Sequence, residues 1–171
     1  MKNFILLFFL FFLSTQTLHA GSPFFIDFKY ILNESTAGKK AQNALKAKLE
    51  NGLKNLKQKE KKIQEEEKKI IQQKKLISPE DYKTKVTKLR EKVASLQNQR
   101  NKLLDTVAKQ RSKARTELLK NLNPIIKDYM NEKKIRMVLD KKSILLADEN
   151  LDITKEITDL LNKKLKKIKL N

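Results

Sequence analysis

The sequence predicts an α+β protein that is mostly α: one long antiparallel helical hairpin on a small β body that assembles into an oligomer. Two sparse ladders of apolar residues at heptad spacing mirror each other about Ser78-Pro79. Nearly every position between the ladder residues is charged or amide, so the hairpin is an arm with a thin oily stripe. At both ends of the exported chain the pattern changes to short apolar runs of strand character, which supply the body.

The ascending ladder is Leu49, Leu56, Ile63, Ile70 and Ile77, with Leu45 and Leu53 between its first members. The descending ladder is Tyr82, Val86, Leu89, Val93, Leu96, Leu103, Val107 and Ala114, the alternating three-four spacing of a and d positions. Reversal at Ser78-Pro79 pairs residues whose numbers sum to 156: Ile70 with Val86, Ile63 with Val93, Leu53 with Leu103, Leu49 with Val107. The turn is well marked. Ser78 suits an N-cap, Pro79 the first helical position, and Glu80 and Asp81 put negative charge in the first turn, with Asp81 in the capping-box place. The hairpin is expected over 37–131 with its tip near 77–80. Gly52 is a weak point of the ascending helix, costing about 1 kcal/mol relative to alanine. Pro124 should kink the descending one by removing a backbone hydrogen bond.

The first twenty residues read as a cleavable signal peptide: Lys2, an apolar run from Phe4 to Leu13, and a polar end at Leu18-His19-Ala20. The run is too short to span a bilayer. Cleavage after Ala20 leaves a discontinuous body built from 21–36 and 132–171. Its expected parts are a strand from Phe24 to Leu32, a strand from Ile135 to Asp140, a strand from Ile144 to Ala147 and a last helix capped by Asp152. Ile153, Ile157, Leu160, Leu161, Leu165 and Ile168 give that helix one apolar face. The body residues expected at a subunit junction are Phe25, Ile26, Phe28, Met137, Val138, Leu139, Leu145 and Leu146. So small a body buries too little to stand alone, and without a single cysteine the chain has no disulfide to help it, so association is the expected remedy.

The formal charge is +19, and from Lys39 to Lys134 28 Lys and Arg face 12 Asp and Glu. A field of that size attracts polyanions, acidic unfolded chains or anionic headgroups, and weakens with salt. Towards the tip, Lys74, Lys75, Lys83, Lys85, Lys88 and Arg90 are the candidate client contacts. The only histidine, His19, lies in the signal peptide, so the exported chain has neither His nor Cys. That argues against a zinc site of the usual kind, His-based catalysis and cysteine nucleophiles. No glycine-rich phosphate loop is present, and Glu65-Glu66-Glu67 is a solvated charge run. The expectation is a protein that is not an enzyme and needs no cofactor or metal.

These features together resemble the Skp/OmpH family of periplasmic chaperones. The specific parts are Phe25-Ile26-Asp27-Phe28, the segment from Leu32 through Asn33-Glu34-Ser35-Thr36-Ala37-Gly38-Lys39-Lys40-Ala41 to Gln42, the charged hairpin, Ile135 to Asp140, and Leu151-Asp152-Ile153-Thr154. The resemblance implies a homotrimer whose strands join in one β body and whose three arms surround a cavity. It further implies ATP-independent holding of unfolded outer-membrane β-barrel proteins in the periplasm. Lipopolysaccharide or anionic lipid contact is associated with the family, but no motif carries it to particular residues here. A structural envelope coiled coil bridging anionic polymers is the alternative; nucleic-acid binding finds no helix-turn-helix and no aromatic stacking platform.

Overall fold

The computed structural model describes residues 22–170; the signal peptide expected over 1–20 lies outside the described residues. In chain order the elements are strand β1 (Phe24–Ile26), helix α1 (Phe28–Glu34), helix α2 (Thr36–Gln73), helix α3 (Pro79–Lys133), strand β2 (Val138–Asp140), two 3-10 turns (Lys141–Ser143 and Glu149–Leu151) and helix α4 (Thr154–Lys164). At 1.5 Å per residue α2 extends about 57 Å and α3 about 82 Å. They run antiparallel as the two limbs of a hairpin.

The tip follows from its residues. Ser78 Oγ accepts from the Asp81 N–H at 3.1 Å and donates to the Asp81 carboxylate at 2.8 Å, so Asp81 closes a variant of the capping box. Pro79 supplies the pre-set φ of a first helical residue, and Glu80 and Asp81 face the positive end of the helix dipole. Helix α2 stops at Gln73, short of Ile77, and residues 74–76 form a tight turn with Leu76 N–H bonded to the Gln73 carbonyl at 2.8 Å. At the far end, α3 closes on Lys134 in the left-handed conformation (φ 56°), and the Ile135 N–H returns to the Met130 carbonyl.

The expected kink at Pro124 does not divide α3, which continues from Pro79 to Lys133. Leu118, Leu122 and Ile125 are almost completely buried, whereas Asn123 and Pro124 are exposed. The proline ring sits on the solvent side, where water can reach the carbonyl it leaves unpaired, and burial of the opposite face holds the helix together.

The body differs from the expected three strands. Among the described residues the two strands Phe24–Ile26 and Val138–Asp140 pair in parallel, with Phe24 opposite Val138 and Ile26 opposite Asp140, and on the other side of β1 Asp152 adds a single bridge to Phe25. Phe28 to Leu32 turns helical because the Asp27 side chain caps α1, accepting from the Tyr30 N–H at 2.7 Å. Helical spacing then puts both Phe28 and Ile31 into the core, which a strand would not. Ile144 to Ala147 forms no strand. Leu145 and Leu146 are fully exposed in the single chain, with nothing to pair or pack against. Asp152 lies two residues before α4 and still serves its start, accepting from the Thr154 N–H at 2.9 Å.

One core joins body and arm root. Ile26, Phe28 and Ile31 meet Ala37 and Ala41 of α2, Ala114, Leu118, Leu122 and Ile125 of α3, and Ile157 and Leu161 of α4. The elbow between α1 and α2 is the tightest part. Ser35, with no exposed surface, ends one helix and caps the next through the Gly38 N–H at 3.2 Å. A Cβ on Gly38 would lie 2.1 Å from the Leu32 carbonyl oxygen, a backbone atom that has little room to give. Ala37 and Ala41 are small for the same reason: the adjoining helices press on them.

Two predictions follow from this geometry. Gly38→Ala gains helix propensity yet should destabilise the protein by about 2 kcal/mol or more, read as a lowered midpoint in chemical unfolding; an unchanged midpoint would show that the elbow relaxes freely. Asp152 is the second. Partial burial pushes its carboxyl up, but hydrogen bonds from Thr154 and the Lys141 ammonium at 3.4 Å outweigh that and hold it below its ordinary value. Its contribution is therefore complete above the unfolded aspartate pKa near 4 and lost as pH falls through the lower folded value. Asp152→Asn should lower stability at pH 7 by about 1 kcal/mol and flatten the acid limb of stability against pH.

Candidate functional site

The arm is the candidate site, and its surface is set by how two helices share one seam. Taking Leu49, Leu56, Ile63 and Ile70 as a positions of α2, its d positions are Leu45, Gly52, Lys59, Glu66 and Gln73. From Lys59 outward every d position of α2 is thus polar, which is why its ladder is sparse. The polar row has partners on α3: Glu66 takes Lys92 at 2.6 Å, Gln73 takes Lys85 at 2.7 Å and Lys59 donates to Gln99 at 2.6 Å. Further towards the root Lys48 donates to Gln110 at 3.0 Å. Each of these four pairs sums to 158, so they fix one register about the same reversal point.

On the apolar row, Leu56, Ile70 and Val107 are buried, and Leu49, Ile63, Val86, Leu89, Leu96 and Leu103 are half-buried. Two expected seam residues are not inside. Leu53 is 41% exposed because the inward position is Gly52, where Leu103 lies so close that a Cβ would meet its methyls at 2.5 and 2.7 Å. The glycine makes room for a leucine across the seam. Val93 holds an a position yet is 50% exposed, since two helices leave the edge of their seam open and its short side chain does not reach across.

In an antiparallel pair, the flanks just beyond a (positions e and b) of both helices lie on one side, and those just beyond d (positions g and c) on the other. The two sides of this arm are unlike. The first carries Leu53 and Ile71 of α2 and Val93 and Leu104 of α3, all large apolar residues at least 40% exposed. Its charges come closer to balance: Lys46, Lys57, Lys74, Lys83, Arg90 and Arg111 against Glu50, Glu60, Glu67 and Glu80. The second carries Lys48, Lys62, Lys69, Lys85, Lys88, Lys92, Lys102, Lys109 and Lys113, against Glu65 and Asp81. An open groove on this side has Lys59, Lys62, Glu66, Lys92, Ser95 and Gln99 along its walls and the seam residues Ile63 and Leu96 at its base.

The expected tip cluster is therefore split. Lys75, Lys83, Lys88 and Arg90 are exposed, but Lys83 and Arg90 lie on the apolar-bearing side and Lys88 on the basic one. Lys85 is half-buried and engaged with Gln73, and Lys74 stands over the Tyr82 ring at 5.8 Å. Leu76, 81% exposed, projects from the turn between them. Sequence reading missed the two-sidedness, although the signal was present: it appears once the flanks of each ladder are lettered. Of the expected subunit-junction residues, Phe25, Ile26 and Phe28 are buried within the chain itself, Val138 and Leu139 are half-buried, and Met137, Leu145 and Leu146 are exposed.

Among the described residues no cluster of acidic side chains is arranged to hold a metal, and no helix is long and apolar enough to cross a membrane. What the arm offers is extended surface of two kinds.

The Gly52–Leu103 contact gives a direct test. Gly52→Ala should forfeit the roughly 1 kcal/mol that helix propensity predicts, because Leu103 must move. In a Leu103→Ala background the same change should recover it, so a double-mutant cycle on unfolding free energy shows coupling. Full stabilisation by Gly52→Ala alone would disprove the packing account.

The fold is shared with a crystal structure from Caulobacter crescentus CB15, of a protein proposed to be an OmpH-like outer membrane chaperone: TM-score 0.79, 19% identity, covering 92% of this chain and 94% of that one. No curated protein matches. The family model for OmpH-like outer membrane protein matches residues 24–161, and the chain belongs to that family.

Proposed function

We propose that this protein is an ATP-independent periplasmic holdase that keeps unfolded outer-membrane β-barrel proteins from aggregating before assembly. Membership of a chaperone family supports the general class. The observation that carries the specific reading is the two-sided arm: isolated apolar side chains on one side and dense lysine on the other. In this reading three copies associate through the body. The exposed Met137, Leu145 and Leu146 beside the two-stranded sheet support that association, since a single chain leaves them uncovered. Three arms then bound a cavity, and the basic flanks steer an acidic, unfolded client towards it.

The division of labour departs from a purely cationic grip. Lysines on the basic side accelerate capture over a range limited by salt, while Leu53, Ile71, Val93 and Leu104 supply short-lived apolar contacts that retain the client. Contact of the basic side with anionic lipid or lipopolysaccharide is a second role that the same charge supports.

The test dilutes a urea-denatured outer-membrane barrel protein with and without the exported chain and follows light scattering. Suppression is expected at both low and high salt, with capture slower at high salt. A variant with Leu53, Ile71, Val93 and Leu104 all changed to Ser should weaken client affinity about tenfold, or ~1.4 kcal/mol, at unchanged helicity. Absence of suppression at either salt would remove the holdase reading.

A further inference from the structure

Helix α4 ends at Lys164, but the chain does not leave the surface there. Residues 165–170 run on without helix or strand, and their three apolar members all turn inward: Leu165 and Leu170 are half-buried, and Ile168 is 2% exposed within the core that joins body and arm root. Lys166, Lys167 and Lys169 between them stay exposed. The segment reaches past that core. The Gln110 side-chain amide on α3 donates to the Leu170 carbonyl at 2.8 Å, one turn further out along the arm than the buried Ala114. Just upstream, the Asn162 side chain of α4 accepts from the Thr36 N–H at 2.7 Å, at the first residue of α2, and Lys164 lies 3.6 Å from Asp128 of α3. The chain from Asn162 to Leu170 thus touches both limbs of the hairpin, α2 through the end of α4 and α3 through Lys164 and Leu170.

We propose that residues 165–170 form a releasable latch that fixes the direction in which the arm leaves the body. Beyond Gln110 the arm is held only by its own two-helix seam. From Gln110 inward it is braced by a third piece of chain that belongs to the body. With the latch seated, bending is confined to the outer arm; with it lifted, the whole hairpin pivots about the Ser35 elbow and the α3 root. The tie is built to open. One deeply buried isoleucine, two half-buried leucines and one side-chain hydrogen bond to the arm oppose the conformational entropy of six residues without helix or strand, a near balance that places the segment among the parts that open locally before the core does. Among the described residues Lys166, Lys167 and Lys169 form no ion pair that would anchor it.

Nothing in this inference depends on the client, and the test uses none. The full exported chain, which has no cysteine of its own, is labelled at Thr84→Cys near the tip and Lys155→Cys on α4, mixed with excess unlabelled protein so that only distances within one chain are read. Pulsed dipolar spectroscopy gives the spread of tip-to-body distance, and hydrogen exchange reports the root amides of 36–45 and 107–114. Ile168→Asp and a chain ending after Leu165 should each broaden the distance distribution and raise root exchange about tenfold, with helicity by circular dichroism unchanged. Gln110→Glu, which keeps an acceptor for Lys48 but has no amide donor for the Leu170 carbonyl, should give a smaller change of the same sign. If Ile168→Asp loses helicity, the shortened chain and Gln110→Glu decide, since neither alters a fully buried side chain of the helices. Distances and exchange unchanged in these variants would overturn the latch and reduce the segment to passive filling. Suppression of client aggregation is a separate readout, so failure of the latch and failure of the holdase reading are distinguishable.

Discussion

Two helices can enclose only one narrow strip between them, and most of this protein's character follows from that limit. A bundle of three or four helices would bury a broad face on each; a hairpin buries a and d and leaves everything else in water. Here even the strip is shared. One row of α2 is apolar, and the outer part of the other is Lys59, Glu66 and Gln73, each bonded to a side chain on α3. Surface pairs of this kind contribute little individually, from zero to about 1 kcal/mol. Their greater effect is on register: sliding one limb by a residue separates every polar partner and every leucine from its place. The arm is therefore well specified without being strongly held, and it depends on the fused core at its root.

That core explains which parts of the fold were legible. Heptad spacing gave the two limbs and the reversal at Ser78-Pro79, because helical periodicity and turn chemistry are local. It did not distinguish Leu53 from Gly52 as the inward residue, since a glycine carries no hydrophobic signal and its role appears only when Leu103 is seen lying over it. The strand expected through Phe28 to Leu32 failed for a related reason. Aromatic and branched residues favour strands, but one aspartate cap and the two buried positions Phe28 and Ile31 outweigh that preference. Pro124 was expected to interrupt α3, yet the helix runs on through it, because the consequence of an internal proline depends on which side of the helix faces water. In each case a local rule was overruled by packing from a distant part of the chain.

The same logic applies to the site. Charge excess was legible as a total, but a total has no direction. Lettering the flanks of the two ladders divides it into a side rich in lysine and a side whose charges come closer to balance, and the exposed apolar residues of the limbs fall on the latter. Neither half of that division is visible from composition, and the tip lysines singled out by sequence turn out to be distributed over both sides, with Lys85 drawn into the seam.

Spacing decides what such an apolar side can hold. Leu53 and Ile71 are separated by about 27 Å along α2, and Val93 and Leu104 by about 16 Å along α3. Two folded surfaces packing together need contact at every turn, which these intervals do not supply, so the side is poorly suited to docking a rigid partner. An unfolded chain has no such requirement: it can bring one apolar side chain to each point and cross the polar stretches between as solvated coil. Each contact then breaks independently, and retention comes from their number. A surface that bound more continuously would hold its passenger more tightly and release it less readily. For the proposed holdase, the sparse seam and the sparse outer face are thus consequences of the same composition: a helix with too little apolar residue to form a rigid bundle also has too little to trap what it carries.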